Sequence, residues 1–282
     1  MLELVFAGPG GSPRGAAPRL VNTWSDDAGL VFARAFVEQA HAWIEWPGLG
    51  TFSFTRHSPV VSLHSRAAVD RDQAHDIFVR IVQPIVLQAQ GAEALHASAV
   101  AEAAGAIVFC GLSGSGKSTF AWALGCRPGF HQIADDGVVL SGFEEGARGD
   151  GVRLHPLPHR PRLRRSAAAH FNRPDDAAAG PGPPSGPLPL RAIVLLDQDT
   201  TAEGLARPAP LSASSAFTAI LSHAHCFDAQ DRSETGRMVT HYLALAAAVP
   251  AFRLCYRPAF EQLDELLDAV VATIAAVPSP CQ

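Results

Sequence analysis

The chain has 282 residues, 48% of them hydrophobic and 17% charged, which excludes a disordered chain and allows a sizeable buried core. Its 22 Lys and Arg against 27 Asp and Glu leave a formal net charge of -5, which argues against broad electrostatic binding to nucleic acid or anionic lipid. No apolar run approaches the roughly 18 residues of a membrane span, and Met1 to Arg14 lacks the basic start and apolar stretch of a signal peptide. The five cysteines are scattered, odd in number and without a C-x-x-C pair, so reduced thiols in a cytoplasmic protein are expected.

In chain order, the first region reads as short strands. Trp43 to Trp46 ends at the turn signal Pro47-Gly48, alternation follows from Leu49 to Thr55, and Pro59 to Leu63 suits another strand. Asp70 to Gln90 turns helical, with Ile77, Ile81 and Ile85 on one face, a kink expected at Pro84 and a stop at Gly91. A β-rich N-terminal region ending in a helix is therefore predicted over residues 1–90, and a second domain over 91–282. In the second, Ala99 to Ala101 and Ala106 to Cys110 read as strands about Ala104-Gly105. Ile133 to Leu140 includes a short strand, expected to end at Ala134 and to lie beside the Ala106–Cys110 strand, and Arg191 to Leu196 and Pro250 to Tyr256 are further strands. Helices are predicted at Lys117–Leu124, Ser214–His225, Gly236–Ala248 and Phe260–Ala276. This alternation is the pattern of an α/β domain. The Pro/Gly-rich stretch 174–189 has no apolar periodicity and reads as a flexible loop.

Gly111-Leu112-Ser113-Gly114-Ser115-Gly116-Lys117-Ser118 fits G-x-x-x-x-G-K-[ST], with an apolar strand before it and a helical run after it. Such a loop turns successive backbone N–H groups toward phosphate oxygens and adds the positive end of a helix. Lys117 is expected at the β- and γ-phosphates of ATP and the Ser118 hydroxyl on Mg2+. Gly111, Ser113, Gly114, Ser115, Gly116 and Thr119 complete the nucleotide-binding set. Two acidic sites compete for the remaining chemistry. Asp197 ends the stronger strand and by itself looks more like an ordinary metal-side Asp. Asp135-Asp136 carries two carboxylates, enough to serve a metal and to accept a hydroxyl proton.

Leu95-His96-Ala97-Ser98-Ala99-Val100, then Gly111 to Thr119, then Ala134-Asp135-Asp136 resembles the catalytic domain of the HPr kinase/phosphorylase family and its smaller bacterial relatives. Those relatives include kinases encoded with lasso-peptide clusters. The resemblance is specific from about Leu95 to Leu140 and loose from there to Tyr256. It implies a P-loop fold of the HPr kinase/phosphoenolpyruvate carboxykinase type, with a small β-rich region before it. It also implies Asp135 as catalytic acid/base, Asp136 as metal-side carboxylate and His96 near the phosphates. The chain departs from HPr kinases at Thr119, where they carry Glu, and it lacks their Glu-x-Arg-Gly-x-Gly stretch. These departures point away from phosphorylase activity and from HPr as substrate.

The expectation is thus an ATP- and Mg2+-dependent kinase acting on a hydroxyl, with Ser of a peptide or protein preferred as acceptor. A small-molecule kinase on the same fold, or a nucleotide-binding regulator with little turnover, are the alternatives; a homo-oligomer stays open. Two other clusters stand out. His155 to Arg165 is the one basic run, with Arg160, Arg162, Arg164 and Arg165, suited to an anion or to a solvated surface. His223-Ala224-His225-Cys226 with Asp228 is metal-capable, but it lacks the second ligand pair of a zinc site.

Overall fold

The computed structural model describes residues 2–8, 17–25, 28–65, 69–143, 151–158, 163–171 and 186–277. It is a mixed α/β protein of two compact units, one made of residues 1–92 with 225–238, the other of 93–224 with 239–282. Among the described residues, no helix is long and apolar enough to cross a membrane.

The first unit is built on a mixed six-stranded sheet. Its strands are β1 (Glu3–Ala7), β2 (Arg19–Ser25), β3 (Val31–Glu38), β4 (His41–Trp46), β5 (Gly50–Thr55) and β6 (Val60–His64), in the order β1-β6-β5-β4-β3-β2. Only β1 and β6 run parallel. Alternation explains β5, where Phe52 and Phe54 are buried while Thr51 and Ser53 stay half-exposed. Helix α1 (Arg71–Ile77) starts at Asp70, whose carboxylate accepts from the N–H groups of Asp72 and Gln73 at 2.9 and 3.2 Å. The kink expected at Pro84 takes the form of a π-helical segment, Phe78–Val82, with Pro84 in the first turn of α2 (Gln83–Ala89). A proline lacks its N–H and crowds the carbonyl four residues back, and one wider turn removes that conflict without ending the helix. Ala74, Phe78, Val82, Ile85 and Val86 share a core with the sheet and with Phe227.

The second unit holds β7 (Glu93–Leu95), the hairpin β8 (Ala97–Glu102) and β9 (Gly105–Cys110), α3 (Lys117–Gly125), β10 (His131–Ala134), β11 (Val138–Ser141), β12 (Arg153–His155) and α4 (Arg165–His170). It continues with β13 (Leu188–Gln198), β14 (Ala209–Pro210), α5 (Ala213–Leu221), α6 (Arg232–Ala248), β15 (Ala251–Tyr256) and α7 (Leu263–Ala275); the first turns of α6 belong to the first unit. The sheet order is β10-β8-β9-β13-β12-β11-β7, with β15 also on β13 and β14 on β15. Strand β9 is buried along its whole length and pairs in parallel with β13, which pairs in parallel with β15. Phe120 and Leu124 of α3 and Leu266, Leu267, Val270 and Ile274 of α7 pack with Phe109, Val194 and Leu254 of these strands. In α7 the apolar residues recur at three- and four-residue steps, the spacing of one helix face.

Three expectations change. The short strand expected within Ile133 to Leu140 is joined by a second, so that β10 and β11 flank Asp135-Asp136-Gly137. The helix predicted to His225 ends at Leu221. Of the predicted loop 174–189, residues 174–185 lie outside the described residues, whereas Leu188 and Pro189 open β13 and pair with Leu154 and Arg153 of β12.

Candidate functional site

The glycine-rich segment 111–116 joins β9 to α3 within the second unit. Two of its glycines are fixed by geometry. Gly111 has φ 152°, and a Cβ there would meet Ser115 Oγ and stand 2.6 Å from Leu196 O at the end of β13. Gly116 has φ 92°, and its Cβ would stand 2.5 Å from Tyr256 Oη. Both conformations favour a residue without a side chain.

The loop is held from the sheet side. The Tyr256 hydroxyl, at the end of β15, donates to Ser115 O at 2.8 Å. Gln198 Nε2, at the end of β13, donates to Gly114 O at 3.1 Å and to Tyr256 Oη at 3.3 Å. Helix α3 opens at Gly116 with no side-chain cap, so its first N–H groups keep their donor capacity toward the loop. The Ser115 Oγ is buried and makes no hydrogen bond among the described residues. The Ser118 and Thr119 hydroxyls, half-buried in the first turn, make none there either. A Cβ-free cradle, an uncapped helix start and an orphaned buried hydroxyl are what a phosphate group fits.

Lys117 is buried, and its Nζ donates to the carbonyls of Gly111 at 2.9 Å and Leu112 at 3.0 Å. Burial pulls its pKa below the ordinary lysine value, while the carboxylates of Asp136 and Asp135 act in the opposite direction. Both carboxylates come from the turn between β10 and β11. The expectation that the strand ending at Ala134 lies beside the loop-bearing strand is not met: β10 pairs with β8, and β8 separates it from β9. The register of β10 on β8 shifts between Gln132 and Ala134, just before the turn.

Asp135 is 4% exposed and accepts a hydrogen bond from the buried Ser98 hydroxyl of β8 at 2.7 Å. Asp136 takes a left-handed backbone conformation, φ 65°, unusual for a residue with a side chain. Its carbonyl accepts from His96 Nδ1 at 3.1 Å. A carbonyl only accepts, so Nδ1 carries the hydrogen and the neutral ring presents Nε2 as an acceptor. Burial, and then the Lys117 charge, hold the His96 pKa below the ordinary value. The His96 N–H donates to the carbonyl of His223 at 2.8 Å. The His223 ring is lowered to about 4 by burial, by Lys117 and by His96.

Lys117, Asp135, Asp136, His96 and the loop residues therefore gather in one place. Asp197 is exposed at the end of β13, opposite Cys255, and it is the next residue, Gln198, that touches the loop. Among the described residues, no three His, Cys, Asp or Glu side chains cluster as a metal site. Mg2+ needs no such cage, because it takes one or two protein oxygens together with phosphate oxygens and water. Ser118 and Asp136 supply donors of the right hardness for that arrangement. Of the basic run, Arg160 and Arg162 lie outside the described residues, and Arg164 reaches Ser113.

Sequence reading did not find Ser98 or Gln198. A lone Ser in an apolar strand and a Gln at a strand end carry no pattern, although Ser98 lies two residues after His96 in the quoted motif. Tyr256 was legible as a strand end but not as a prop for the loop. His223 was legible only as a metal-capable side chain.

No protein-family model matches the chain, and no curated protein does. Among solved structures, the chain is similar to the HPr(Ser) kinase/phosphatase from Coxiella burnetii, at 13% identity over 64% of this chain and 89% of that one, with a TM-score of 0.34. At that distance the functional reading rests on the side chains themselves.

Proposed function

We propose that this chain is a kinase that transfers the γ-phosphoryl group of ATP to a hydroxyl, with a serine of a peptide or protein as the acceptor. The carrying observation is the meeting of Lys117, on a glycine loop at a helix start, with two carboxylates from a separate strand turn. In this reading the loop is a P-loop, and the backbone of residues 111–119 and the Lys117 ammonium hold the phosphates. Ser118 and Asp136 would hold Mg2+, which when bound neutralises charge on the phosphoryl oxygens. Asp135 takes the proton of the acceptor hydroxyl as the hydroxyl oxygen bonds to the γ-phosphorus. The bond from that phosphorus to the β–γ bridging oxygen breaks, and ADP leaves with the electron pair. Ser98 fixes one oxygen of Asp135 and so aims the other. Neutral His96 fixes the Asp136 backbone. The described cysteines are thiols outside any disulfide, which goes with the cytoplasmic setting of this reading.

The test is labelled transfer to an array of serine peptides, with Mg·ATP binding followed by calorimetry. Lys117→Ala is expected to lose both. Asp135→Asn is expected to keep binding and lose transfer by roughly 10²–10⁴-fold, the range of a general base. Asp136→Asn is expected to raise the Mg2+ requirement, and Asp197→Asn to leave turnover in place. If Asp197→Asn abolishes turnover and Asp135→Asn does not, the protein is an ordinary strand-end NTPase and this reading is wrong.

A further inference from the structure

We propose that Arg164 is a second phosphate-binding cation of this site, set at its outer lip to hold the terminal phosphate of a nucleoside triphosphate. The inference rests on the phosphate-loop reading above and adds a second cation for the terminal phosphate, which that reading gave to Lys117 and the loop backbone alone.

The geometry comes first. Arg164 Nη2 donates to Ser113 Oγ at 3.2 Å, and Nη1 lies 3.0 Å from where a Cβ on Gly114 would stand. The guanidinium therefore lies across the tip of the loop. It is not carried there by a free tether. Arg164 is the residue before α4, whose Ala167 and Ala168 are buried and whose His170 stacks on Phe260 with ring centroids 4.5 Å apart. A helix fixed at its far end aims the residue that precedes it at the loop.

The charge balance comes second. An exposed arginine ordinarily turns to water or to a carboxylate. Among the described residues no carboxylate pairs with Arg164, and its positive charge repels that of Lys117. Two cations converge on a loop whose helix start already carries partial positive charge. Such a placement is unfavourable until an anion arrives, and it is favourable with a polyanion between them. Arginine suits the task because its planar fork meets phosphate oxygens two at a time.

Burial divides the labour. Lys117 is buried beneath the loop, whereas Arg164 is exposed at its tip. Phosphates seated in the loop belong to Lys117 and the helix start, and the one that projects furthest outward meets Arg164. The basic run noted in the sequence thereby gains a role for one of its members.

The test uses the full chain and calorimetry with Mg·ADP and a non-hydrolysable Mg·ATP analogue. Arg164→Ala is expected to weaken the triphosphate roughly tenfold, the loss of one charge-assisted contact, while ADP affinity changes by less than about twofold. Arg164→Lys should recover part of the loss. Arg165→Ala, equally charged and without a contact to the loop, should bind both nucleotides as the wild type does. If Arg164→Ala binds the triphosphate as tightly as the wild type, the proposal falls; Lys117→Ala, still losing both nucleotides, would keep the phosphate-loop reading. Equal loss of ADP and triphosphate would overturn the terminal-phosphate assignment. If the wild type binds neither nucleotide, both readings fall.

Discussion

Asp135 faces a conflict at the scale of one side chain: in the role proposed for it, accepting a proton, it has to stay charged, yet it is almost wholly buried. The hydroxyl of Ser98 compensates by donating to it at 2.7 Å. The neighbouring histidines solve the opposite problem by remaining neutral. His223, lowered to about 4 by burial and then by Lys117 and His96, yields a pH prediction. Its folded pKa lies below the ordinary value of about 6.5, so the unfolded chain binds the proton more readily. The stabilisation is complete above about pH 6.5 and is lost as pH falls toward about 4. Urea unfolding of wild type and His223→Asn at a series of pH values checks this. The midpoint of the wild type should fall more steeply over that interval, and parallel curves would refute it. His223 was visible in the sequence, but its chemistry was not. Desolvation and a nearby lysine are properties of the folded site, and the spacing of histidines does not contain them.

Among the elements, the ends of β13 and β15 act as a shelf for the loop. Tyr256→Phe removes the donor to Ser115 O and is expected to destabilise the chain by about 1 kcal/mol and to loosen phosphate binding. Gly116→Ala should be far worse, because it combines the strained φ of 92° with a clash against the same hydroxyl. The double variant should then lose less than the sum of the two, since the phenyl ring leaves room for the added methyl. Thermal unfolding of the four proteins measures that coupling, and strict additivity would show that Tyr256 and Gly116 do not compete for space. Most elements in this part of the chain were readable, because β9 is an unbroken apolar run and α7 follows a helical apolar period, both matched by their burial. The strand end at Ala134 was readable too, but the second strand beyond the turn, β11, was not. Both sides of Asp135-Asp136-Gly137 are apolar, so periodicity continues through a turn made by one left-handed residue. The place of β10 at the sheet edge was unreadable for a related reason: β8 pairs with both β9 and β10, and local pattern does not say which neighbour is which.

Over the whole molecule, the first unit recruits a segment far away in sequence. Phe227 is buried in its core and stacks edge-on against Phe54, and its N–H donates to Gln88 Oε1 at 2.7 Å. Gln88 Nε2 donates to Glu234 Oε1 at 3.0 Å, and Arg19 pairs with the buried Asp228. Burial raises the Glu234 pKa even against these donors. Phe227→Ala should cost the first unit about 3–5 kcal/mol. Amide exchange should quicken in β3 to β5 and stay unchanged in β9 and β13. Equal quickening in both sets would show that the two units unfold as one. Nothing in the stretch 225–238 marks it as belonging to the N-terminal strands. Its His225 and Cys226 read only as metal-capable side chains, while the residues that tie it down, Phe227, Asp228 and Glu234, look ordinary in a linear reading.

The left-handed backbone at Asp136 sets stability against use. A residue with a side chain pays about 1 kcal/mol for that conformation, whereas glycine adopts it freely. Asp136→Gly should therefore raise the melting temperature while stripping the carboxylate from the site, a trade that calorimetry and a Mg2+ titration would expose together. With Asp136 in its proposed metal-side role, a variant library sorted only for thermal tolerance would enrich glycine at this position and lose turnover, so directed evolution of this scaffold calls for selection on turnover from the first round.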